Sequence, residues 1–237
     1  MKYAVSVLNI GDFMTETCRA SLEHAAERWG ADFYEITTDK VKSPSGCQWF
    51  NKFVQLDRYE WYDGVLQIDA DVMVSIEAPS PFDEWESDKL GVVNEFQPDA
   101  GLVGPTAVFM AKGYYNAVVR RWQRQMKMPP PPYETYINGG FIIYNPAAAA
   151  PWFEEIMRWG AKCKYGFSGL SDQTILSILV HNGHIPVQRM GTTWNAVHAG
   201  MRPKLMGPGM CYNVYHFCGT PKERPRRYSQ VDWRLRQ

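Results

Sequence analysis

Apolar positions along the chain fall into short runs divided by glycine, proline and polar clusters. Tyr3 to Leu8 is apolar apart from Ser6 and reads as a buried strand. From Thr15 to Trp29 the period changes. Cys18, Leu22, Ala25, Ala26 and Trp29 share one helical face, and Gly30 stops the helix. Phe33 to Ile36 reads as a second strand. A strand, a helix and a strand in succession predict a parallel pair with a helix packed against it.

The pattern continues in the same style. Cys47 to Tyr59 reads as a helix turning Phe50, Phe53 and Val54 inward. Gly64 closes a turn, and Val65 to Ile68 begin a buried strand. Leu90 to Val93 is a strand, and Tyr115, Val118, Val119, Trp122 and Met126 form a helical stripe. Pro129 to Pro132 are a stiff surface break. Phe141 to Tyr144 is a strand, and Trp152 to Trp159 a helix closed by Gly160. Ser171 to Leu179 is a helix ended at Asn182-Gly183. Ile185 to Val187 and Asn213 to Phe217 are short strands. The expectation is one α/β domain with helices flanking a sheet.

Composition narrows this only a little. The chain has 237 residues, 45% of them hydrophobic, which is enough for one sizeable core. Twenty-five basic and 25 acidic residues balance, so no global field marks a nucleic-acid partner. Aromatic residues make up 14%, suiting both sugar or base stacking and core filling. Five cysteines without a CxxC spacing argue against a disulfide framework or zinc site and for a reducing, cytoplasmic setting. The first twelve residues lack a cleavage region and read as strand, not signal peptide, and no run reaches the length of a membrane span.

Chemistry enters with "LQIDADVMV". Asp69 and Asp71 stand one residue apart inside an apolar run. In an extended segment they would point to one side and repel unless a divalent cation neutralised them. A solvated turn between two strands is the other reading. "INGGFIIYNP" carries Asn138, Gly139 and Gly140 into a strand. There glycine permits close backbone approach to a ligand, but the letters also fit an Asn-Gly hairpin turn. "SDQT" puts Asp172 and Gln173 at a helix start, as site groups or as capping chemistry. "HFCGTPK" offers His216, Gly219 and Lys222, where His216 is either a cation ligand or a satisfied core residue. His181 and His184 straddle a helix end with no accompanying acid cluster and read as structural. Trp194 reads as packed, with sugar stacking the alternative.

These four stretches, in this order, resemble the nucleotide-sugar-dependent glycosyltransferases of the GT-A type, and are most similar to glycosyltransferase family 8. The resemblance runs from the first strand to about Lys222. It implies a single GT-A, Rossmann-like nucleotide-binding domain over residues 1–222, with a central mixed, mostly parallel sheet, followed by a basic tail over residues 223–237. It implies a UDP-sugar donor, a glycan or other hydroxyl acceptor, and retention of anomeric configuration. Asp69 and Asp71 would be the family's DxD motif and bind Mn²⁺ or Mg²⁺ with His216, with Asp69 and Ala70 also near the nucleotide. Gly219 and Lys222 would hold the diphosphate. Asn138, Gly139, Asp172 and Gln173 would face the donor sugar and reacting centre, and Asn9, Ile10 and Gly11 the nucleobase and ribose. Lys52 would take a donor-phosphate or sugar role. The family usually continues Lys-Pro-Trp here, whereas Lys222 is followed by Glu223 and Arg224.

Two other readings stand beside this one. A non-catalytic sugar-binding or nucleotide-binding module would keep the fold without turnover. A sugar-phosphate nucleotidylyltransferase would need a Gly-rich basic loop after the first strand, which "LNIGDFMTE" does not supply. The tail's Arg224, Arg226, Arg227, Arg234 and Arg236, with Tyr228 and Trp233, suit an anionic membrane face or a phosphorylated acceptor. A solvated terminus is the alternative.

Overall fold

The structure, a computed structural model, describes residues 1–9, 14–37, 48–95, 105–162, 171–194 and 213–216. Strand β1 (Tyr3–Leu8) leads to helix α1 (Glu16–Arg28) and strand β2 (Ala31–Ile36). Thr15 caps α1 by accepting from the Cys18 N–H at 3.2 Å, and Gly30 beyond its end has φ +64°. Then come β3 (Gly64–Asp69), β4 (Val72–Val74), β5 (Leu90–Asn94) and α2 (Pro105–Met126). The chain continues through β6 (Ile137–Tyr144), α3 (Pro146–Ala161), α4 (Ser171–His181), β7 (Val187–Arg189) and β8 (Val214–His216).

Six strands form one sheet in the order β2-β1-β3-β6-β5-β7. β1 pairs parallel with β2 and β3, and β5 parallel with β7; β6 runs antiparallel between β3 and β5. The sheet is mixed with a parallel majority, as expected. β4 and β8 make a separate antiparallel pair. Both faces of the main sheet are covered. Val5, Val7, Leu66 and Ile68 pack toward α1, while Ala4, Val65, Val92 and Ile142 belong to the core shared with α2, α3 and α4. Burial on both faces is why these strands read as continuous apolar runs and not as alternation.

Several expectations change in detail. The predicted helix over 47–59 is two 3₁₀ segments, Gln48–Phe53 and Leu56–Arg58, within the described residues. Phe50, Phe53, Tyr59 and Tyr62 are buried, and Leu56 packs against the same core. That stripe has period three, which eclipses side chains in a 3₁₀ turn and would wander around an α-helix. Val54, off the stripe, is only partly buried. Asn138, Gly139 and Gly140 are inside β6, so the hairpin reading fails. α3 starts six residues early, at Pro146, because Asn145 caps it by accepting from the Ala148 N–H at 3.0 Å. It also runs through Gly160, whose missing Cβ leaves room for Phe50. The strand expected at 185–187 is shifted to Val187–Arg189, set by parallel pairing with β5.

Candidate functional site

The C-terminal ends of β1, β3 and β5 lie on one edge of the sheet, since the three run in one direction. Asp69 is the last residue of β3. Ala70 and Asp71 then turn the chain into β4, so the two carboxylates do not share one extended strand as the sequence suggests. The turn converges them by another route. β4 pairs with β8, and the Val72↔His216 register sets the imidazole beside them. His216 Nε2 is 3.2 Å from Asp71 Oδ1 and 3.8 Å from Asp69 Oδ2. One ligand atom from each of the three lies within 4.8 Å of the others.

That donor set suits a hard divalent cation that also accepts imidazole, such as Mn²⁺. Gly140 leaves the space. A Cβ there would stand 2.4 Å from His216 Cε1 and 2.8 Å from Asp69 Oδ2. Burial raises the Asp69 pKa, opposed by the charges of Lys52 and His216, and neighbouring Asp71 and Asp172 raise it further. About a third of the Asp69 side chain (34%) stays open, so an ion can reach it.

Behind the acids sits Lys52, carried by the first 3₁₀ segment and buried. Its Nζ lies 2.9 Å from Asp172 Oδ2, 3.6 Å from Asp69 Oδ1, and donates to the Gly139 carbonyl at 3.0 Å. Burial acts to lower its pKa, but Asp172 and Asp69 outweigh that and raise it, so the ammonium form holds. Asp172 and Gln173, on the first turn of α4, are buried. The Gly139 N–H donates to Gln173 Oε1 at 3.1 Å, and the Gly140 N–H to Asn138 Oδ1 at 2.7 Å. With its oxygen so held, Gln173 turns its amide nitrogen elsewhere. Among the described residues Nε2 makes no hydrogen bond, although Glu95 and Tyr136 lie close enough for their pKa values to feel the amide.

Glu95 was not singled out by the sequence. It follows β5, donates its backbone N–H to the Tyr136 carbonyl, and accepts from Asn138 Nδ2 through its carboxylate. Burial raises its pKa against the Asn138 bond and the His216 charge. The signal was available: "VVNEF" sets an acid at the end of an apolar strand, just as "LQID" does.

The structure thus brings together Lys52, Asp69, Asp71, Asn138, Gly139, Asp172, Gln173 and His216. Ala70 lies in the turn between the two acids. Asn9 follows β1 on the same edge, with its side chain engaged: Nδ2 donates to Glu35 at 2.6 Å, and Oδ1 accepts from the Met14 N–H at 2.9 Å. Ile10, Gly11, Gly219 and Lys222, and the tail from 223 on, lie outside the described residues. His184 Nδ1 stands 3.3 Å from Glu155, away from this cluster, and Trp194 is packed in the core, donating to Glu84 at 3.2 Å.

No protein-family profile matches the chain, and no curated protein does. Solved structures do. The chain is similar to a glycosyltransferase involved in the glycosylation of the major capsid of PBCV-1, with a TM-score of 0.58 and 12% identity, over 96% of this chain and 98% of that one. It is similar to the bifunctional glycosyltransferase WbbM, with a TM-score of 0.61 and 13% identity, over 97% of this chain and half (50%) of that one. A third likeness is to the glycosyltransferase GlyE of Streptococcus pneumoniae TIGR4, with a TM-score of 0.55 and 14% identity, over 98% of this chain and 61% of that one. At such identities the likeness establishes the fold: an α/β domain of the GT-A kind.

Proposed function

We propose that this chain is a metal-dependent glycosyltransferase that moves a sugar from a nucleotide-sugar, a UDP-sugar, to a hydroxyl acceptor with retention of anomeric configuration. The observation that carries it is the meeting of Asp69, Asp71 and His216 within 4.8 Å at the strand ends of a glycosyltransferase fold. Asp69, Asp71 and His216 would hold Mn²⁺, or Mg²⁺. Once bound, the cation supplies positive charge beside the departing diphosphate.

The bond between the anomeric carbon and the diphosphate oxygen breaks, and its electron pair leaves with the phosphate. The acceptor oxygen forms the new bond and passes its proton to the departing phosphate oxygen. Asn138, Asp172 and Gln173 face the sugar in this reading. Asp172 carries negative charge near a carbon that turns oxocarbenium-like. Gln173, whose oxygen accepts from the Gly139 N–H, fixes the backbone of β6 beside the sugar. Asn9, Ile10 and Gly11 border the base and ribose, and Gly219 and Lys222 hold the diphosphate. A cytoplasmic setting, with the basic tail resting on an anionic membrane face, fits this role; no helix among the described residues is long and apolar enough to cross a membrane.

The test is to incubate purified protein with Mn²⁺ and a panel of UDP-sugars and follow UDP release, with calorimetry of UDP binding alongside. Slow hydrolysis and Mn²⁺-dependent UDP binding are expected. Absence of both would refute the reading. Binding without release under any acceptor would make the chain a nucleotide-sugar-binding module.

A further inference from the structure

The family resemblance gives Lys52 a contact with donor phosphate or sugar. The geometry assigns it a different task. An ammonium group has three N–H donors. Two protein acceptors lie within hydrogen-bond reach of it, Asp172 Oδ2 at 2.9 Å and the Gly139 carbonyl at 3.0 Å, and Asp69 Oδ1 stands as an ion-pair partner at 3.6 Å. The side chain is buried, so it has no room to swing toward a ligand.

The carboxylate of Asp69 is divided between two neighbours. Oδ1 faces Lys52, while Oδ2 faces His216 and the space left by Gly140. Asp172, on α4, also meets Lys52, at 2.9 Å. We infer that Lys52 is a positioning residue, an internal counter-ion that ties the metal-side acid Asp69 to the sugar-side acid Asp172 and spends no donor on the phosphates. This rests on the proposed function only for the names of the two sides.

A physical consequence follows from charge sharing. Lys52 is one cation between two acids. Removing the charge of Asp172 leaves Lys52 to Asp69 alone, so it competes harder with a divalent ion at the same carboxylate. Removing the charge of Lys52 ends that competition. The effect of Asp172 on metal binding therefore passes in part through Lys52, beside the direct action of its charge on Asp69. Two residues acting through one contact give non-additive changes.

Titrating Mn²⁺ alone, followed by electron paramagnetic resonance, tests this in four proteins: wild type, Asp172→Asn, Lys52→Met and the double variant. Asp172→Asn is nearly isosteric, and the double variant removes a buried pair together, which limits the risk of unfolding. Asp172→Asn is expected to weaken Mn²⁺ binding by about threefold or more in the wild-type background and by a clearly smaller factor in the Lys52→Met background. UDP affinity at saturating Mn²⁺ is expected to stay within about threefold of wild type in Lys52→Met. Equal effects of Asp172→Asn in both backgrounds, or none in either, would overturn the inference. So would a UDP affinity that falls tenfold or more in Lys52→Met, the mark of a phosphate ligand. Mn²⁺ binding without UDP binding by the wild type would remove the donor reading and leave this inference standing; no Mn²⁺ binding at all would remove both.

Discussion

His216 Nε2 stands 3.2 Å from Asp71 Oδ1, held there by the pairing of Val72 with His216 between two three-residue strands. Neither residue belongs to the main sheet, although both are buried. His216→Ala should weaken Mn²⁺ binding at least about tenfold. Asp71→Asn should abolish Mn²⁺-dependent UDP release. Both variants should keep the wild-type circular dichroism. Unchanged Mn²⁺ affinity in His216→Ala would make the imidazole a core residue; wild-type turnover in Asp71→Asn would remove that acid from the site.

The two glycines of β6 should differ sharply. A Cβ at Gly140 would meet His216 at 2.4 Å and Asp69 at 2.8 Å, whereas one at Gly139 would meet Gln173 and Asp172 at 3.2 and 3.3 Å. The first pushes two of the three candidate ligands apart; the second asks for shifts of a few tenths of an ångström. Gly140→Ala should therefore lose Mn²⁺ affinity by more than tenfold, and Gly139→Ala by less than about threefold. Similar losses in a Mn²⁺ titration would mean that the space beside Gly140 is not the ion's.

The difference between what the sequence conveys and what the fold adds is one of range. Elements driven by burial on both faces, such as Tyr3–Leu8, are legible because the apolar run itself is the signal. The 3₁₀ stripe through Phe50, Phe53, Leu56 and Tyr59 is legible only to a reader counting in threes. Asp69 and Asp71 are visible as a pair, but the turn at Ala70 that separates their strands is not, because their convergence depends on β8 arriving from the far end of the chain. Glu95 is legible only as a lone acid closing an apolar strand, without the second acid that makes Asp69 stand out. Its partner, Asn138, is brought to it by the antiparallel pairing of β5 with β6.

Ser177 joins α4 to β6. Its hydroxyl donates to the Gln173 carbonyl at 2.7 Å and accepts the Ile137 N–H at 2.9 Å. Ile137 is fully buried, so Ser177→Ala leaves a backbone N–H without this partner. The cost should be about 1–3 kcal/mol in denaturant unfolding. The same variant loosens the turn that carries Gln173, so UDP release should fall while Mn²⁺ affinity holds. A stability loss under about 0.5 kcal/mol would show that the N–H finds another acceptor.

Glu95 should leave a signature in the pH dependence of stability. Burial raises its carboxyl above the ordinary carboxylate value in the folded chain, against the opposing bond from Asn138. The folded state then holds this proton more tightly than the unfolded state does. Stability from this group is greatest at low pH and falls as pH rises from the ordinary carboxylate value through the raised one. Above that window the charged form is a constant burden. Glu95→Gln keeps an oxygen for the Asn138 N–H and carries no charge. Measured with a chelator present, its melting temperature should exceed that of the wild type at pH 7 to 8 by up to about 3 °C. The gap should close as pH falls toward about 4, the ordinary Glu range. A gap that stays constant across that range would mean that Glu95 titrates alike in both states, and its contact with Asn138 would then offset its burial in full.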